Sequence, residues 1–219
     1  MVVGVIFDID GTLVSFRFDV RGARRALIDE LGRQGFDTGG LDLGTPIQRI
    51  LDSARGQSEA GRGPGYGALR RSVFAILDGF EVESTESASI LPGVRKALDA
   101  LRSRGVRLAV LSNSGRKSAD AALERAGLLD CFEFVLTRDD TETMKPRPEG
   151  LEMAAAKFGL PKTSIYYVGD SAFDIHAAKA AGVKVVSVAT GNYTAERLKT
   201  EGADYAISSL SELSAILGV

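Results

Sequence analysis

A chain of 219 residues, 44% hydrophobic and 26% charged, has ordinary globular composition and is long enough to bury a core, as one large domain or a domain with an insertion. Its net charge of −2 gives no electrostatic reason to expect a nucleic acid or an anionic membrane as partner. Cys131 is the only cysteine, so no intramolecular disulfide can form, and the first apolar run is too short for a signal peptide. No stretch reaches transmembrane length, and a cytoplasmic protein is expected.

The first predicted element is the run Met1-Val2-Val3-Gly4-Val5-Ile6-Phe7, whose apolar, β-branched character reads as a strand buried on both faces. It ends abruptly in Asp8-Ile9-Asp10-Gly11-Thr12. In an open α/β sheet, ligands bind at the carboxyl ends of the strands. Paired acids there repel one another and desolvate badly unless something positive holds them. Mg²⁺, a hard cation that takes carboxylate, carbonyl and phosphate oxygens, is the expected compensator.

From 15 to 89 no strand-like run occurs. Helical patterns over 20–34, 46–54 and 69–77 predict a helical insertion, with Gly39-Gly40 and a Gly-rich 56–67 segment between them. That segment follows no strand and lacks a Gly-Lys-Ser/Thr ending, so it reads as a flexible loop and not a phosphate cradle. Past the insertion, strand-like runs recur over 107–111, 132–136, 164–168, 184–188 and 205–207. Helical patterns lie between them over 94–103, 117–126, 148–158, 174–181 and 195–200, and a last one covers 210–217. Several stop at a glycine (Gly105, Gly127, Gly159, Gly182), the residue favoured just past a helix end. This alternation predicts an α/β fold: a doubly wound parallel sheet formed by 1–14 and 90–219, with 15–89 as an inserted α-helical domain.

The predicted strand ends gather one kind of chemistry. The 107–111 run leads into Ser112-Asn113-Ser114, a hydroxyl and an amide suited to a phosphoryl oxygen. After the next run, Lys145-Pro146-Arg147-Pro148 places a lysine just before a helix start. The fourth run ends in Gly169-Asp170-Ser171-Ala172-Phe173-Asp174, a second pair of acids with a glycine that allows close backbone approach. A carboxylate nucleophile, a second carboxyl as general acid and base, and a lysine with Mg²⁺ against phosphoryl charge match phosphoryl transfer through an aspartyl intermediate. Asp8 and Asp170 can supply the few protein oxygens that Mg²⁺ needs. His176, the only histidine, reads as a surface or packed residue, Cys131 as a small core hydrophobe, and Asp139-Asp140 as a solvated loop pair.

Four motifs in this order, Asp8-Ile9-Asp10-Gly11-Thr12, Ser112-Asn113, Lys145, and Gly169-Asp170 with Asp174, resemble those of the haloacid dehalogenase-type hydrolase superfamily. The likeness covers the whole chain, because the helical insertion stands where subclass I members carry their cap. It implies a Rossmann-type core, Asp8 as nucleophile and Asp10 as general acid/base with its carbonyl on Mg²⁺. It also implies Asp170 as a metal ligand, Asp174 as support for the metal or for Lys145, and a phosphoryl site of Gly11, Thr12, Ser112, Asn113 and Lys145. Dehalogenase-type members lack the second acid of the first motif, so Asp10 argues against that branch. Phosphonatase-type members need a cap lysine, and the first lysine here is Lys96. A sugar-phosphate mutase of the β-phosphoglucomutase type remains an alternative, and a non-catalytic phosphate-binding protein a weaker one. Ser15-Phe16 departs from the Asp-Ser that many members carry at the cap hinge. The resemblance is greatest to the phosphoglycolate phosphatase group, implying a small phosphorylated metabolite as substrate, with an insertion arginine such as Arg17, Arg24 or Arg49 suited to a substrate carboxylate.

Overall fold

The computed structural model describes residues 3–218; Met1, Val2 and Val219, counted above in the sheet-forming segments, lie outside the described residues. In chain order, β1 (Gly4–Phe7) and β2 (Val14–Ser15) lead into α1 (Val20–Arg33), α2 (Ile47–Glu59) and α3 (Tyr66–Thr85). Then come β3 (Ser89–Ile90), α4 (Val94–Ser103), β4 (Arg107–Leu111), α5 (Arg116–Arg125), β5 (Val135–Leu136) and α6 (Glu149–Phe158). The last stretch holds β6 (Ile165–Gly169), α7 (Ala172–Ala181), β7 (Lys184–Val188), α8 (Ala195–Thr200), β8 (Tyr205–Ile207) and α9 (Leu213–Leu217).

Among the described residues six strands form one parallel sheet in the order β5-β4-β1-β6-β7-β8. All four residues of β1 are buried, as an all-apolar central strand must be. Its alternate side chains serve opposite faces. Val5 and Phe7 join a core with Val94, Leu98 and Leu101 of α4 and Ala119 of α5. Ile6 joins a second core with Leu151 and Phe158 of α6, Ile175 of α7 and Leu198 of α8. The chain winds outward from β1 in both directions, so β1 is the topological switch point, where ligand sites of such sheets form.

Two compact units divide the chain: one runs up to Phe16 and resumes at Ser87, the other is Arg17–Glu86. The second is a three-helix unit closed on Leu27, Leu31, Phe36, Ile50, Leu69, Val73 and Leu77. Asp19 starts α1 by accepting from the Gly22 N–H at 2.9 Å.

Three expectations need correction. The stretch without strands is bounded by a small antiparallel pair, β2 with β3, two residues each and too short to show any period. The run 132–136 is regular only over β5, although Glu133 N–H still reaches the Leu108 carbonyl at 2.8 Å. The 56–67 segment is helical at both ends, where α2 continues to Glu59 and α3 begins at Tyr66, and is loop only over 60–65. An Arg55–Glu59 pair one turn apart, 2.9 Å, supports that end of α2. Gln57 ties it to the Asp37 backbone in both directions at 2.7 and 2.9 Å, so Gly56 does not break the helix.

Candidate active site

Every motif residue except Gly169, the last of β6, and Asp174, on α7, stands just past the carboxyl end of a strand or on the loop that follows. Asp8 succeeds β1, and its N–H still pairs with the Val168 carbonyl at 2.9 Å, so the nucleophile candidate is held by sheet backbone. The chain then turns tightly: Leu13 N–H meets the Ile9 carbonyl at 2.9 Å and Gly11 N–H meets the Val14 carbonyl at 2.8 Å. Gly11 sits at φ +73°, a conformation that favours glycine. The N–H groups of Gly11 and Thr12 are used within this turn, and the Thr12 hydroxyl is buried with no hydrogen-bond partner in the protein.

Lys145 is the hub. It is 5% exposed, and its Nζ lies 2.8 Å from Asp8 Oδ1 and 2.7 Å from Asp174 Oδ1. Burial opposes its charge, but the two carboxylates more than offset this and hold the ammonium above the ordinary lysine range. Asn113 fixes the loop that carries it: the amide nitrogen donates to the Lys145 carbonyl at 3.0 Å, and the amide oxygen accepts the Lys145 N–H at 2.9 Å. Both ends of that amide are engaged with backbone, which fixes the Lys145 loop against the end of β4. Ser112, buried at the end of β4, accepts the Ser114 N–H on its hydroxyl at 3.1 Å.

Asp174 is wholly buried in the first turn of α7. Its Oδ2 accepts the Ser171 N–H at 3.0 Å and the Ser171 hydroxyl at 2.6 Å, a reciprocal cap on the helix. Its Oδ1 accepts from Lys145 and from the Tyr167 hydroxyl, the latter at 2.9 Å. Burial pushes its pKa up, but the Lys145 charge and these hydrogen bonds prevail and hold it below the usual carboxylate range. The Asp174 side chain leaves no room for one at Gly169, where a Cβ would lie 2.4 Å from Asp174 Cγ.

Asp8, Asp170 and Asp174 bring carboxylate oxygens within 4.8 Å of one another, a group that could hold a metal ion. Burial pushes Asp8 up to about 7 although Lys145 counteracts it, and pushes Asp170 up to about 8 with help from the Asp174 and Asp8 charges. Two carboxyls strained in this way fit a divalent cation, which would favour their charged forms. The carboxylate of Asp170 lies in a slot between two glycines: a Cβ at Gly11 would come within 2.4 Å of it, and one at Gly191 within 1.8 Å. The Thr190 hydroxyl donates to the Gly11 carbonyl, joining the loops that form the slot. Asp10 reaches solvent, yet enough protein surrounds its carboxyl to push it up to about 6 against the Phe16 and Gly11 N–H groups.

Three contributors were missed in the sequence. Tyr167 of β6 is fully buried, accepts from Lys145 Nζ at 2.7 Å, and has a pKa driven well above the ordinary tyrosine value by burial and the nearby acids. The available signal was that a tyrosine inside a strand buried on both faces must find a partner for its hydroxyl. Gly191, on the loop after β7, has its Cα against the Asp170 carboxylate, and a glycine past a strand gives no signal of that in the sequence. Arg138, 1% exposed, donates to the Asn113 carbonyl at 3.2 Å beneath the Ser112 loop. Asp139 and Asp140, read as a solvated pair, accept from Arg116: its N–H reaches Asp139 at 2.7 Å and its guanidinium reaches Asp140 at 2.5 Å. His176 lies outside the site on α7, 3.6 Å from Glu201.

Residues 2–182 match the family profile described as hydrolase, haloacid dehalogenase-like hydrolase. A phosphoglycolate phosphatase of Cereibacter sphaeroides is 34% identical over 187 residues, 83% of this chain and 82% of that one. A plasmid-borne phosphoglycolate phosphatase of Cupriavidus necator is 32% identical over 219 residues, 97% of this chain and 92% of that one. The crystal structure of a HAD family hydrolase from Deinococcus radiodurans R1, with bound phosphate and sodium, shares the fold at a TM-score of 0.62. It is 24% identical and the match covers 99% of this chain and 95% of that one.

Proposed function

We propose that this chain, which belongs to the haloacid dehalogenase-like hydrolase family, hydrolyses a small phosphomonoester through an aspartyl phosphate formed on Asp8. The observation that carries the reading is Lys145 Nζ, 2.8 Å from Asp8, beside Asp170 and two residues from a second acid, Asp10, at the switch point of the sheet. Asp8 attacks phosphorus as the bond to the leaving oxygen breaks, and Asp10, raised to about 6, gives that oxygen its proton. Asp10, now charged, takes a proton from water as the water attacks phosphorus and the Asp8 bond breaks. The Lys145 charge beside Asp8 offsets phosphoryl charge, and the Ser112 hydroxyl holds a phosphoryl oxygen. The carboxylates of Asp8 and Asp170 with the Asp10 carbonyl would hold Mg²⁺, which when bound neutralises phosphoryl charge. Asp174, its oxygens already engaged, serves Lys145.

The names of the two relatives support phosphoglycolate as the substrate, and make a sugar-phosphate mutase the weaker reading. A cytoplasmic location fits the single cysteine, and no helix among the described residues is long and apolar enough to cross a membrane. The test is a panel of phosphomonoesters, phosphoglycolate and hexose phosphates included, with Mg²⁺. Expected are release of inorganic phosphate, the highest kcat/KM for phosphoglycolate, no turnover in Asp8→Asn, and loss on chelation that added Mg²⁺ reverses. Isomerised sugar phosphate without phosphate release, binding without turnover, or turnover in Asp8→Asn would overturn the reading.

A further inference from the structure

The Lys145 ammonium has three N–H groups and three acceptors, namely Asp8 Oδ1 at 2.8 Å, Asp174 Oδ1 at 2.7 Å and the Tyr167 oxygen at 2.7 Å. None of its donors is left over. Tyr167 is 0% exposed, so water does not compete for its hydroxyl. Its single proton has two acceptors in reach, Asp174 Oδ1 at 2.9 Å and the Leu111 carbonyl at 3.4 Å, and the shorter distance assigns it to Asp174. Leu111 ends β4 immediately before Ser112. One phenolic oxygen therefore lies where the Lys145 side chain, the Asp174 carboxylate and the end of β4 converge.

We propose that Tyr167 is a positioning residue of the phosphoryl site, whose hydroxyl fixes the Lys145 ammonium against Asp8. The proposal rests on the reading of Asp8 as nucleophile and Lys145 as its cation. A tyrosine serving the core alone gains nothing from the hydroxyl, because phenylalanine fills the same space without burying a polar atom. Here every partner of that hydroxyl belongs to a segment that carries a motif residue. The direction of the effect follows from the geometry. Asp174 is held by Ser171 and cannot move toward Asp8, so the ammonium between them is set by its third bond. With that bond removed, one N–H is left in a buried place without an acceptor, and the long lysine side chain relieves this by leaving Asp8. Lys145 then no longer meets the phosphoryl charge that develops beside Asp8.

The test compares wild type with Tyr167→Phe, which keeps the ring. Crystal structures read the Lys145 Nζ to Asp8 distance, and steady-state kinetics with an aryl phosphate and Mg²⁺ read kcat and KM separately. Expected are an Nζ displaced beyond 4 Å from Asp8 and a kcat lower by about tenfold with KM within twofold, the pattern of an interaction made in the transition state. In a Lys145→Met background the same substitution should change kcat less than twofold, because its effect passes through Lys145. An undisplaced Nζ, a raised KM at unchanged kcat, or an undiminished loss in the Lys145→Met background would each overturn the proposal. Should Lys145→Met be too slow or too unstable to assay, the displacement and the split between kcat and KM decide. A wild type that hydrolyses no phosphomonoester overturns the phosphatase reading instead, and the Nζ position still decides the role of Tyr167.

Discussion

Asp8 and Asp10 are two residues apart and chemically unlike. Asp8 is buried with an ammonium at 2.8 Å that counteracts its rise to about 7, and a divalent cation bound there would favour its charged, nucleophilic form, whereas Asp10 reaches solvent with a pKa pushed up to about 6. A carboxyl that keeps its proton near neutrality can protonate a leaving oxygen. Asp10→Asn should therefore slow turnover by roughly 10²–10⁴-fold, the usual range for a lost general acid/base. The loss should be smallest for aryl phosphates, whose leaving groups of low pKa need no proton. Measuring kcat for aryl and alkyl phosphates in this variant settles the point, since equal losses would remove Asp10 as the acid. These acids and Ser112 were legible in the sequence because charged or hydroxyl residues directly after apolar runs have few structural uses, and Lys145 was legible from its place just before a helix start. Tyr167 and Gly191 were not legible, for opposite reasons. A tyrosine in a strand reads as core, and a glycine past a strand reads as a turn. Only three-dimensional proximity reveals a hydroxyl 2.7 Å from Lys145, or a Cα against which Asp170 leaves no space.

Helices α1, α2 and α3 of the insertion share an oddity: Gly32, Gly56 and Gly79 are exposed helical glycines, and a Cβ at any of them would meet nothing within 4 Å. None is at positive φ. Packing therefore does not require them, and each weakens its helix by about 0.5–1 kcal/mol relative to alanine. Gly32→Ala, Gly56→Ala and Gly79→Ala together should raise the resistance of the three-helix unit to urea and slow its amide exchange, with no change in the sheet unit. A destabilised triple variant would show that these positions serve a close approach. Gly56 explains why the end of α2 was placed too early, whereas α1 was read across Gly32. Gly56 within a Gly-rich stretch resembles a loop, and the Arg55–Glu59 pair and the Gln57 clamp that keep it helical are side-chain effects beyond hydrophobic period. By contrast α4 was legible over its full length, since Val94, Ala97, Leu98 and Leu101 repeat at helical spacing on one buried face.

At the scale of the whole molecule, burying so many acids at one sheet edge makes stability depend on protons and metal together. Asp8 is pushed up to about 7, Asp170 to about 8 and Asp10 to about 6, in each case first by burial. An unfolded aspartate titrates near about 4, so between that value and the raised ones the folded chain binds more protons than the unfolded chain. The stability contributed by these groups is therefore fully present below about pH 4 and is lost as pH rises through about 6 to 8. Asp174 and Asp204, shifted downward, act in the opposite sense, and their contribution is lost only as pH falls below the ordinary carboxylate range. The interval from about pH 5.5 to 8.5 thus isolates the three raised acids. A divalent cation that binds the folded chain replaces the missing protons and stabilises it by mass action. With chelator present, Tm should fall from about pH 5.5 to 8.5. With millimolar Mg²⁺ the fall should be shallower, so the metal-induced rise in Tm grows with pH, and calorimetry should find proton release on binding that shrinks toward the alkaline end. A rise in Tm that is equal or smaller at about pH 8.5 would mean that the cation does not displace protons from Asp8 and Asp170, and would move the metal away from this edge.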